Sequence, residues 1–177
     1  EDNVIETLID SIPSQAVANY AFVQQRDRQD FLPRFVNQAE DLGLGQPGFS
    51  NGSAYGDLDN DGDLDLVINN VNGPASLYRN NSDTLRPEHH WLGLQLAGQD
   101  QNAYALGSRV TLRADDQTFY QELAPMRGFQ SCVDPRLLIG LGEIEQIDTL
   151  RLQWPDGRYT VQTGVAVDQY LSLSYPE

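Results

Sequence analysis

Through the second half of the chain, hydrophobic positions recur at every second residue. Val110/Leu112/Ala114, Leu150/Leu152/Trp154 and Leu171/Leu173/Tyr175 each place apolar side chains on one face of an extended segment. Seven strands are predicted, over Trp91–Leu96, Ser108–Ala114, Thr118–Ala124, Leu137–Leu141, Thr149–Trp154, Tyr159–Thr163 and Tyr170–Tyr175. Asp156-Gly157, after Pro155, is a hairpin signal. Short alternating strands separated by Gly and Asp turns predict an antiparallel β-sandwich over residues 89–177.

The first half is patterned differently. Val4, Ile5, Leu8, Ile9 and Ile12 fall on one face of a short helix ended by Pro13, so residues 1–17 read as a helix or linker. Aromatic and β-branched residues predict strands at Ala18–Gln25 and Phe31–Asn37, the second at an edge because of Pro33. Strands at Ser53–Gly56, Leu64–Asn69 and Ala75–Asn80 follow. Residues 19–25 (NYAFVQQ) echo 75–81 (ASLYRNN), a faint repeat of the kind found in stacked or blade-like β units. The polar stretch Asn81–His90 is the expected boundary between a domain over 18–88 and the sandwich.

Charge narrows the function. With 26 acidic against 11 basic residues, the chain carries a formal −15. That balance disfavours nucleic acid and anionic lipid, both of which need Lys and Arg. No apolar run approaches the roughly 20 residues that span a bilayer. The lone Cys132 excludes an intrachain disulfide and reads as a buried or half-buried structural thiol. The chain starts at Glu1 without Met, which reads as a processed or trimmed piece, so that any export signal is expected upstream of it.

Residues 57–65 read Asp-Leu-Asp-Asn-Asp-Gly-Asp-Leu-Asp. Carboxylates at alternate positions, with Gly62 permitting a sharp turn, suit a hard cation that takes six to eight oxygen ligands. The expected Ca2+ ligands are Asp57, Asp59, Asp61, the Asp63 carbonyl and Asp65. Without a cation these charges would repel one another strongly. An EF-hand does not fit, because position 12 is Ile68 and the flanks are strand-like.

The stretch from Phe49 to Val67, FSNGSAYGDLDNDGDLDLV, resembles an FG-GAP/VCBS repeat, which implies a blade of an integrin-like β-propeller with calcium in the inter-strand loop. Gly107-Ser108-Arg109-Val110, Arg127-Gly128-Phe129, Ser131, Gly140-Leu141-Gly142 and Trp154-Pro155-Asp156-Gly157 resemble the ASPIC/UnbV domain, which follows such repeats in bacterial surface proteins and cartilage acidic proteins. The resemblance implies that residues 18–48 are outer strands of a preceding blade. One and a half blades leave exposed edges, so the chain is expected to be the C-terminal part of a longer protein or to pack against upstream blades, another chain or itself.

His89-His90 lacks an HExxH-like partner, and adjacent side chains diverge on an extended chain. Arg109 and Arg127 are candidates for an anion-binding pair. Ser131 and Cys132 lack a nucleophile elbow. Trp91 and Trp154 fit core positions. With no acid–base pair or activated nucleophile, the expected function is a non-catalytic, calcium-binding adhesion or binding module, extracellular, periplasmic or on the outer cell surface, with a protein or glycan partner. The alternatives are a structural or assembly subunit of a cell-envelope complex or self-assembling polymer, and an enzyme-associated domain.

Overall fold

The computed structural model describes residues 2–25 and 32–176; Phe31, in an expected strand, lies outside them. Apart from helices α1 (Asp2–Ser11) and α2 (Ser82–Leu85), the regular structure is β. The chain divides into two compact units, one of residues 1–53 and 68–76, the other of 54–67 and 77–177.

In the first unit, β1 (Val17–Ala18) pairs antiparallel with β4 (Pro47–Gly48), and β2 (Phe22–Gln25) with β3 (Arg34–Asn37). Asn37 Oδ1 ties the second ribbon down by accepting from the Ala21 and Ala39 amides at 3.0 and 3.2 Å. Among the described apolar residues of this unit, only Ala39 and Ile68 are buried. The helix α1 forms where expected, but Val4, Ile5, Leu8 and Ile9 are all at least 60% exposed. The strands β5 (Ser50–Gly56), β6 (Asp65–Asn70) and β7 (Ser76–Tyr78) make a sheet in that order, and the division between units falls within them. The described residues form no closed propeller.

The second unit holds seven strands: β8 (His90–Ala97), β9 (Arg109–Ala114), β10 (Gln117–Glu122), β11 (Leu137–Gly142), β12 (Gln146–Gln153), β13 (Tyr159–Ala166) and β14 (Gln169–Ser174). They match the seven predicted strands closely. Two sheets result, β10-β9-β12-β13 and β11-β8-β14. The alternation does what it should: Leu92, Leu94 and Leu96 of β8, Val110, Leu112 and Ala114 of β9, and Leu150 and Leu152 of β12 enter one buried apolar cluster, which Ile147, three residues before Leu150 and out of that period, also joins. Trp154 is buried there, its Nε1 donating to Thr160 Oγ1 at 2.8 Å. The predicted hairpin closes at Gly157, whose φ of +92° favours glycine.

One strand departs from the antiparallel expectation. Strand β14 pairs parallel with β8, Tyr170 opposite Gly93 and Leu173 opposite Leu96. The cause is a change of sheet. After β13 the chain leaves the four-stranded sheet and, at Asp168 (φ +56°), joins the start of β8. The Asp168 carboxylate accepts from the Trp91 amide at 3.2 Å and meets His90 Nδ1 at 2.7 Å, while its own amide donates to the Trp91 carbonyl at 2.7 Å. Starting level with β8, β14 can only run alongside it.

Candidate metal centre

The acidic loop belongs to the second unit, so the boundary expected at 81–90 lies inside that unit. The loop leaves β5 at Gly56 and re-enters β6 at Asp65. Its two end carboxylates are buried, Asp57 at 4% exposure and Asp65 at 3%. Asp65 clamps the base: Oδ2 accepts from the Leu58 amide at 3.1 Å and Oδ1 from the Asn80 amide at 2.9 Å. Asp57 Oδ2 accepts from the Gly62 amide at 3.0 Å, and Asp61 Oδ1 from the Asp63 amide at 3.2 Å, which curls the loop inward. Asn60 and Gly62 supply positive φ at +62° and +94°.

Aromatic residues seat the loop. The Trp91 indole lies so close to Gly62 that a Cβ there would come within 1.9 Å of it, and the Tyr170 ring covers Gly93 as closely, at 2.2 Å. Trp91 and Tyr170 meet edge to face at 5.1 Å. The Tyr170 hydroxyl then donates to Asp57 Oδ2 at 2.5 Å. Burial, with the adjacent Asp57 charge, raises the Tyr170 pKa well above the ordinary tyrosine value. Arg136, before β11, donates to the Asp57 carbonyl at 3.0 Å and to Asn60 Oδ1 at 2.8 Å, and its guanidinium lies 4.7 Å from the Tyr170 ring centroid.

Four carboxylates, of Asp57, Asp59, Asp61 and Asp65, were expected to converge with the Asp63 main-chain carbonyl. The structure brings the oxygens of Asp57, Asp59 and Asp61 within 4.8 Å of one another. Asp65 instead spends both oxygens on backbone amides. The Asp63 side chain joins a second triad, with Asp61 and Asp83. Arg79 bridges the two, reaching Asp59 at 3.0 Å, Asp61 at 2.9 Å and Asp83 at 3.4 Å. Desolvation and the neighbouring Asp61 raise the Asp59 pKa against the pull of Arg79. Desolvation also raises that of Asp63. For Asp61, desolvation is outweighed by hydrogen bonds from Arg79 and the Asp63 amide, and its pKa falls.

One oxygen of the first triad is orphaned. Among the described residues, no donor reaches Asp57 Oδ1, which is shut off from solvent. A buried carboxylate oxygen without a donor is costly. A hard cation bound by Asp57, Asp59 and Asp61 would satisfy it, and the all-oxygen donor set suits Ca2+.

The other candidates separate. His90 serves the β8–β14 crossover through Asp168. Arg109 pairs with Glu122 across the β9–β10 ladder at 3.1 Å, whereas Arg127 donates to Tyr55 Oη and to the Ala124 and Met126 carbonyls. They therefore have separate partners. Cys132 is exposed, not buried. It forms a bridge with Met126 on a hairpin that also exposes Phe129, so it stands away from the sandwich core. The sequence reading missed Arg79, Arg136, Tyr170 and Asp83. None lies inside the acidic motif, although Arg79 falls within the strand-like segment predicted after it, Ala75–Asn80.

Residues 98–177 match the family model described as ASPIC and UnbV. This chain thus contains an ASPIC/UnbV domain. The match begins just after β8, yet β8 is the middle strand of β11-β8-β14, so the folded unit is larger than the matched segment. A search of curated proteins finds no match.

Proposed function

We propose that the chain is a non-catalytic binding module of an extracellular or cell-surface protein, with one Ca2+ acting as a structural staple. The observation that carries the reading is the orphaned, buried Asp57 Oδ1 inside a carboxylate triad. Asp57, Asp59 and Asp61 hold the ion, with the Asp63 carbonyl completing the set and Asp65 fixing the loop behind it. Bound there, the ion neutralises the loop and fixes the β5–β6 turn. The FG-GAP/VCBS-like spacing of residues 49–67 and the acidic surface support a divalent-rich, extracytoplasmic setting. The partner is a protein or glycan met by surface loops.

Thermal unfolding with Ca2+ or chelator tests the reading. A ligand bound only to the native state at 100 times its Kd adds about 2.7 kcal/mol. Wild type should melt higher in Ca2+, and Asp59→Ala should lose that shift. Equal melting of wild type in calcium and chelator would remove the reading.

A second reading, an assembly subunit, rests on the first unit. Phe22, Phe35 and the α1 apolar face are exposed there, while just Ala39 and Ile68 of its described apolar residues are buried. Sedimentation would decide: self-association favours assembly, whereas a monomer at all concentrations counts against assembly by self-pairing.

A further inference from the structure

We propose that the acidic centre takes a second divalent cation, at Asp61, Asp63 and Asp83. This goes beyond the single site above and rests on the first triad being occupied. The oxygens of these three residues lie within 4.8 Å of one another, as in the first triad, and Asp61 is common to both. Asp63, though less buried as a residue than Asp57, shares one feature with it. Its Oδ1 is closed to solvent and, among the described residues, meets no donor. Its Oδ2 accepts a long bond, 3.3 Å, from the Asp83 amide, and the Ser82 amide also interacts with the carboxylate. Each triad therefore holds one buried carboxylate oxygen that a cation would satisfy.

Charge balance points the same way. Six carboxylates surround the centre, those of Asp57, Asp59, Asp61, Asp63, Asp65 and Asp83. Among the described residues, Arg79 is the guanidinium that reaches carboxylates of both triads, while Arg136 has its own partner in Asp134. A single divalent ion beside Arg79 leaves three negative charges, and such proximity is expensive in a partly desolvated site. A second ion reduces the excess to one. Access exists: Asp61, Asp63 and Asp83 line one wall of a cleft of about 370 Å³ that also borders Ser82, His89 and Trp91. All the triad donors are carboxylate oxygens, so the ligand class is a hard divalent cation, with Ca2+ the best fit. The second triad has more solvent around it through exposed Asp83, and it should be the weaker site.

The experiment counts ions. The full chain is dialysed against millimolar CaCl2 and its bound calcium is measured per chain. Wild type should hold two ions, and Asp83→Asn one. Asp63→Asn, which keeps the main-chain carbonyl of the first site, should also hold one and guards against a folding effect of the Asp83 change. One ion in wild type, unchanged in Asp83→Asn, overturns the second site and leaves the first standing. Two ions in wild type and in both variants overturns the assignment to this triad. No bound ion overturns both the inference and the proposed function.

Discussion

At the scale of single residues, the acidic loop sets ion binding against apo stability. Asp59 has a raised pKa from desolvation and Asp61, and its side chain is 43% exposed. Replacing it removes repulsion without opening a core cavity. In chelator, Asp59→Ala should therefore be at least as stable as wild type, while losing its response to Ca2+. Urea unfolding with and without calcium measures both. Gly62→Ala should behave oppositely. The new methyl meets Trp91 and the backbone must hold φ +94°, so the loss is about 1–3 kcal/mol in either condition. Tyr170→Phe isolates a single hydroxyl, since the ring keeps its seat on Gly93. Leaving Asp57 short of a donor should cost about 1–3 kcal/mol. The sign with pH is fixed by the raised phenol pKa. Its stabilisation is complete below the ordinary value of 10.0 and is lost as pH rises toward the folded value. Wild-type stability should decline above pH 10, and part of that decline should vanish in Tyr170→Phe.

At the scale of elements, the sequence was most legible where one period governs. The β8–β14 strands alternate because one face is buried, and a one-residue slip would invert every face. The loop stood out because its carboxylates recur at alternate positions, and Gly62 marks its turn. What the spacing could not show was which carboxylates converge. Asp65 turned to the Leu58 and Asn80 amides, and Asp83, 18 residues further on, took its place beside Asp63. Arg136 and Tyr170 were invisible for the same reason: they reach Asp57 from 79 and 113 residues away. The parallel run of β14 depends on the sheet change at Asp168, and alternation is blind to strand direction. Asp168→Ala tests that corner. It removes the acceptor for His90 and for the Trp91 amide, and should cost about 0.5–1.5 kcal/mol by urea unfolding while leaving the calcium shift in place.

At the scale of the whole molecule, the two units differ in what holds them. The second is built on an apolar cluster of 18 buried residues from Leu92 to Leu173. The first relies on two-stranded ribbons, a few backbone and Asn37 bonds, and two buried apolar side chains among its described residues. Two-stranded ribbons without a core are marginal in water, whereas a shared cluster makes seven strands cooperate. Hydrogen exchange should therefore fall into two classes. Amides of β8, β9 and β12 should exchange only through global opening, and those of β2 and β3 orders of magnitude faster through local opening. Calcium sharpens the test. Because the loop is part of the second unit, the ion should slow exchange at Leu58, Gly62 and Asp63, whose amides close the loop, and leave β2 and β3 unchanged. If β2 and β3 were protected as strongly as β9 in the isolated chain, the first unit would be held by something other than its own burial. Self-association is the source to examine then, and dilution should release that protection.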